Sequence, residues 1–85
     1  MEEDVFLDNL PDTANMILNV LWSNNRAMSV PELTEKVNEI YHKSWDNDHI
    51  KAFAKLLVTS DYIEKKYHGF KTYYVALGAD FEMAD

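Results

Sequence analysis

The chain has 85 residues, 47% hydrophobic and 13% aromatic, which supports one small core and excludes an intrinsically disordered polymer. It has no cysteine, so disulfides and thiolate-bound metals are excluded and a reducing, cytoplasmic setting is expected; no apolar run nears the roughly 20 residues that span a bilayer. The net charge of −7 weighs against a polyanionic ligand, because phosphate binding draws on Lys and Arg.

Residues 1–11 read as a loose acidic lead-in ending at Leu10-Pro11, and Met1-Glu2-Glu3-Asp4 is acidic where a secretory leader would be basic. Asp12 or Thr13 is placed to cap a first helix. In it Ala14, Ile17, Leu18 and Leu21 recur at helical spacing and predict one buried face, which Val20 and Trp22 widen. Ser23-Asn24-Asn25 stops that helix, and Ala27-Met28 is a short extended piece. Ser29-Val30-Pro31-Glu32 is a capping box, with proline tolerated in the first turn, and it opens a second helix whose apolar stripe is Leu33, Val37, Ile40 and Tyr41.

A connector holding Trp45 follows. Asp46 or Asn47 caps a third helix, with Ile50, Phe53, Ala54 and Leu57 on its inner side and Asp48, Lys51, Ala52, Lys55 and Thr59 opposite. Ser60-Asp61 ends it, aspartate being able to take a left-handed turn position less easily than glycine. Two β-prone runs, 62–67 and 70–75, flank His68-Gly69 and predict a hairpin.

The order helix, short strand, helix, helix, hairpin is that of a winged helix-turn-helix. The expected architecture is α+β and mainly helical, a three-helix winged helix-turn-helix over 12–77 between the lead-in at 1–11 and an acidic tail at 78–85. One core should gather Ile17, Leu18, Leu21, Leu33, Val37, Ile40, Ile50, Phe53, Leu57, Ile63, Tyr73 and Val75.

The charge is divided along this order. Residues 1–40 carry eight acidic and two basic side chains, 41–75 carry six lysines, three histidines and four acids, and 76–85 carry three acids. Such asymmetry points to a polar face with a function, although lysines solvate any surface. Asn47, Asp48, His49, Lys51, Ala52, Lys55 and Thr59 of the third helix, with Lys65, Lys66, His68 and Lys71 of the hairpin, form the candidate DNA-binding set. Lys51 and Lys55, one turn apart, suit phosphate or the O6/N7 edge of guanine in the major groove, and Ala52 leaves room for a thymine methyl. Asp48 repels phosphate but can accept from cytosine N4. Wing lysines suit backbone contacts, and equally they keep an exposed hairpin soluble. No arginine stands on this face.

Trp22 and Trp45 read as core or core-rim aromatics rather than base-stacking platforms. His42, His49 and His68 lack metal-ligand spacing and read as surface residues. There is no nucleophile motif, no paired-carboxylate constellation and, with only Gly69 and Gly78, no phosphate-cradling loop, so neither catalysis nor a cofactor is expected.

Met16-Ile17-Leu18-Asn19-Val20-Leu21-Trp22 resembles the first-helix motif of the penicillinase repressor (BlaI/MecI/CopY-type) family of bacterial winged-helix transcriptional regulators. Ser29-Val30-Pro31-Glu32-Leu33 is similar to that family's second-helix start, Trp45 to the tryptophan before its recognition helix, Leu57-Val58 with Tyr62-Ile63 to its exit into the wing, and Tyr73-Tyr74 to its closing strand. The resemblance covers about 14–77. It implies a repressor that reads a double-stranded DNA operator with the third helix and the backbone with the wing, as a homodimer or beside a protein partner.

The departures lie on the functional surface. Two threonines and an arginine of the family's recognition helix are His49, Ala52 and Leu56 here, and its helix-ending glycine is Asp61. The family's long dimerisation region and the cysteines of its copper-responsive members have no counterpart. Self-association is therefore expected to be weak, through the first helix with 1–11 or through Phe81-Met83. From a different class, a protein-interaction winged helix with weak or lost DNA binding also fits the acidic first half.

Overall fold

The computed structural model describes residues 6–77. Helices α1 (Asp12–Asn24), α2 (Val30–Tyr41) and α3 (Asn47–Thr59) precede an antiparallel hairpin of β1 (Ile63–His68) and β2 (Lys71–Ala76). Met28 and Tyr74 exchange both backbone hydrogen bonds at 2.8 Å, a single bridge that ties the extended piece before α2 to β2. The fold is a winged helix. The acidic tail at 78–85, Phe81-Met83 within it, and residues 1–5 lie outside the described residues.

Helix α1 is the central pillar. Every residue from Thr13 to Leu21 is buried, not the single face that periodicity predicts, because α2, α3 and β2 all pack on it and Leu7 and Leu10 close the remaining side. Two asparagines make this burial possible. Asn19 donates to the Asn15 carbonyl at 2.9 Å. Asn15 accepts from the Leu7 N–H at 2.8 Å and donates to the carbonyls of Leu7, Leu10 and Pro11 at 3.1–3.3 Å. The segment 6–11 is therefore clamped, where the sequence reads as a loose lead-in. Pro11 takes the N-cap position with no side-chain cap bond, so neither Asp12 nor Thr13 caps α1.

The other helix ends follow their local chemistry. Ser29 Oγ accepts from the Glu32 N–H at 3.4 Å while the Glu32 carboxylate accepts from the Ser29 N–H at 3.0 Å, completing the capping box. Asp46 accepts from the His49 N–H at 2.9 Å and caps α3. Asn38 clips the intervening turn by bonding both backbone groups of Trp45, at 2.9 and 3.1 Å. At the end of α3, Tyr62 N–H reaches the Leu57 carbonyl and Asp61 N–H the Val58 carbonyl, a Schellman motif with Asp61 at φ +66°. Aspartate fills a position that glycine usually takes, and the chain turns directly into the wing.

The hairpin turn is Gly69-Phe70, one residue later than the expected His68-Gly69, with His68 paired to Lys71. Gly69 sits at φ +65° and Phe70 is not left-handed, the pattern of a type II′ turn with glycine first. The slip moves each pairing by two residues and so leaves the faces unchanged. Tyr74 is buried because it shares the hairpin face of Ile63, and Tyr73, on the face of Glu64 and Lys66, is only half-buried, which corrects the expected core tyrosine. Two further core expectations are corrected. Ile40 is 48% exposed, at the edge of the α2 face that Val30, Thr34, Val37 and Tyr41 turn inward, and Phe53 is half-buried on the flank of α3. Trp22 is 43% exposed and does not widen the buried face.

Candidate nucleic-acid interface

On α3, Ile50, Ala54 and Leu57 are buried and hold the helix against α1. Lys51 and Lys55, one turn apart, line a cleft of about 620 Å³. Its other walls are the start of α2 (Ser29, Val30, Pro31), the first residues of α3 (Asn47, Asp48) and the hairpin (Lys65, Lys71, Thr72, Tyr74). Four lysines from three elements thus meet one aspartate in a chain of net charge −7. A smaller groove of about 220 Å³ continues between α3 and β1, lined by Lys55, Val58, Thr59 and Lys65. Ala52 is exposed on the outer side of α3, next to this run of cations.

Three members of the sequence-derived set stand elsewhere. His49 and Lys51 are two residues apart, so their side chains diverge by roughly 160° around the helix. The His49 ring lies between Trp45 and Phe53, with centroids at 4.7 and 5.1 Å, and its Nε2 is 3.3 Å from Thr13 Oγ1. It braces α3 against the start of α1 and faces away from the cleft. Lys66 is turned to the opposite hairpin face from Lys65 by strand alternation, and its Nζ lies 3.1 Å from the Glu64 carboxylate. His68 packs edge-on to Tyr73, at a centroid distance of 6.5 Å.

Lys43, the remaining lysine of the basic stretch, lies over the Trp45 ring at 5.5 Å, off the cleft. Sequence reasoning missed the contribution of Ser29, Val30, Pro31, Thr72 and Tyr74. The Ser29 capping box marked a helix N-terminus, but only the tertiary fold brings that end beside α3.

Glu32, close to the cleft, has a displaced titration. The hydrogen bond from the Ser29 backbone holds its pKa below the ordinary value, against the opposing effect of partial burial, and the Arg26 guanidinium at 3.3 Å adds to the lowering. It stays ionised and occupied with the cap. Among the described residues no group of three or more His, Asp or Glu side chains is placed to hold a metal ion, and no helix is long and apolar enough to cross a membrane.

No protein-family model matches the chain, and no curated protein matches it. Among solved structures, one of HOP2, described through its DNA recognition and protein interaction domains and its homologous DNA pairing properties, is similar to 75% of this chain and 97% of its own, with a TM-score of 0.66 and 19% identity. That likeness carries the winged-helix fold.

Proposed function

We propose that the chain is a DNA-binding transcriptional regulator, with α3 in the major groove and the hairpin on the adjoining backbone. The observation that carries this reading is the convergence of Lys51, Lys55, Lys65 and Lys71 on one concave surface of an otherwise acidic chain. A cleft lined by one sign of charge focuses the field and draws in polyanions. The start of α2 completes the same wall with Ser29, Val30 and Pro31, while the N–H groups of Ser29 and Glu32 are taken up by the capping box. The HOP2 structure, whose description names DNA recognition, lends support by its fold. The resemblance to the penicillinase repressors adds that the bound site is an operator and the outcome repression.

A second reading, a protein-interaction module, is favoured by Asp48 in the cleft and by Leu56, 37% exposed beside Ala52 on the outer side of α3. The deciding experiment is a salt titration of binding to duplex DNA taken from upstream of the chain's own gene. A regulator loses affinity steeply with salt and prefers that DNA over scrambled duplex. Absence of salt-sensitive binding would leave the interaction module as the better reading.

A further inference from the structure

Phe70 is wholly exposed, at 108% of its reference area, and Tyr67 beside it is 70% exposed. Neither belongs to the core or to the cation set. Phe70 is the second central residue of a two-residue turn, fixed by Gly69 at φ +65° and by the paired residues His68 and Lys71. An aromatic ring held forward on so short a turn loses little conformational freedom when it is buried in a ligand. We propose that the wing tip is an apolar wedge: Phe70, seconded by Tyr67, inserts at a base step of the bound duplex and partly unstacks it. This rests on the DNA-binding reading above.

The ligand class follows from the surroundings. A protein partner needs a contiguous apolar patch of several hundred Å², but here the aromatic tip is flanked by His68 and by Lys65 and Lys71 of the cleft. Lys65 lines the cationic cleft and its Nζ lies 5.9 Å from the Tyr67 ring centre; Tyr67 is paired with Thr72, which also lines the cleft. Cations and rings therefore continue one surface. A ligand that answers both is anionic outside and apolar and flat inside, which describes a stacked duplex. The run from Lys65 to Gly69 spans roughly 13 Å at strand spacing, enough to carry the tip from the cleft across one phosphate backbone to the neighbouring groove. Aromatic and aliphatic side chains used this way in the minor groove kink the duplex at flexible pyrimidine–purine steps.

The wedge also supplies an attraction that does not depend on counterion release, which the small number of cleft lysines limits. The test compares the unmodified chain with Phe70→Ser and Phe70→Trp on a duplex carrying 2-aminopurine at TA and CA steps. The unmodified chain should raise the 2-aminopurine fluorescence. Phe70→Ser should weaken binding roughly 5- to 150-fold, the range for loss of one base–aromatic contact. It should do so by the same factor at every salt concentration, abolish the fluorescence rise and leave thermal unfolding unchanged. Phe70→Trp should retain both signals.

Salt-dependent binding that Phe70→Ser does not alter, with 2-aminopurine still quenched, overturns the wedge and leaves the DNA-binding reading standing. Failure of the unmodified chain to bind any duplex removes both. Loss of binding to anionic phosphatidylserine vesicles, rather than to duplex, on Phe70→Ser assigns the tip to a lipid surface and also overturns the proposal.

Discussion

The cationic cleft makes a quantitative prediction about salt. If Lys51, Lys55, Lys65 and Lys71 each neutralise one phosphate, log K should fall against log salt with a slope of roughly −3.6, so affinity should drop roughly 150-fold between 50 and 200 mM salt. Replacing Lys65 and Lys71 together with alanine should halve the slope to roughly −1.8 and the loss over the same range to roughly 12-fold. Lys51→Ala with Lys55→Ala should produce a similar slope change and a larger loss of preference between DNA sequences, since these two sit on the helix placed for base contact. Lys66→Ala and Lys43→Ala are the internal controls. The first side chain is engaged by Glu64 on the far hairpin face and the second by the Trp45 ring, so each should change the slope by much less than one phosphate. The assay is fluorescence anisotropy of a labelled duplex across a salt series, with circular dichroism to confirm folding. Equal slope changes from Lys66→Ala and Lys65→Ala would refute the assignment of the contact surface to the cleft.

Asn15→Ala removes the clamp on 6–11 and takes the side-chain partner from the part-buried Leu7 N–H and Leu10 carbonyl, at an expected cost of about 1–3 kcal/mol in urea unfolding; a loss below about 0.5 kcal/mol would show that this segment is not held as described. Leu57→Ala, at a fully buried position where α3 meets α1, should cost about 2–5 kcal/mol by the same measurement. Glu32 has a depressed folded-state pKa, so its contribution is complete above the ordinary value of 4.5 and is lost as pH falls through the lower folded value. Glu32→Gln should therefore flatten the acid limb of stability over the pH window between 4.5 and that lower value, and a variant with an unchanged acid limb would remove Glu32 from acid unfolding.

Local chemistry was the legible part of this chain. The Ser29–Glu32 box and the Asp46 cap are read from four-residue patterns because their hydrogen bonds close within one helical turn. The wing was visible from its two β-prone runs, but its register was not. Gly69 is compatible with either central position of a two-residue turn, and the two choices differ by two residues in pairing while keeping the same faces. Strand alternation from Ile63 would by itself have put Tyr74 rather than Tyr73 inside. The burial of α1 on every side could not be read from periodicity. Asn15 and Asn19 look like solvent-facing residues until the segment that Asn15 binds is in place. At the candidate site, Lys51 and Lys55 were placed together by helical spacing. Angular arithmetic alone would also have separated His49 from them. Strand alternation separates Lys66 from Lys65 but puts Lys71, paired with His68, on the Lys66 face as well, so the place of Lys71 in the cleft needed the structure. The wall formed by Ser29 to Pro31 needed the tertiary fold.

The acidity of the chain bears on how the proposed DNA complex would work. At physiological salt a charge is screened over about 8 Å, so the sign of the local field matters more than the total. Glu39 lies eight residues beyond Pro31 along α2, roughly 12 Å from the cleft wall by helical rise. Asp12 adjoins Thr13, which meets His49 on the flank of α3 turned away from Lys51. Glu32 is closer, but its carboxylate is spent on Ser29 and Arg26. Asp48 alone among these acids lines the cleft, where it weakens general phosphate attraction and can still accept from a cytosine amino group. An acidic exterior around a small cationic cleft lowers affinity for arbitrary DNA, which is nearly all electrostatic, more than affinity for a site that also satisfies contacts on α3 and at the wing tip. Asp48→Asn should therefore raise binding to scrambled duplex more than binding to the preferred site. The reverse order would show that Asp48 does not contribute to discrimination.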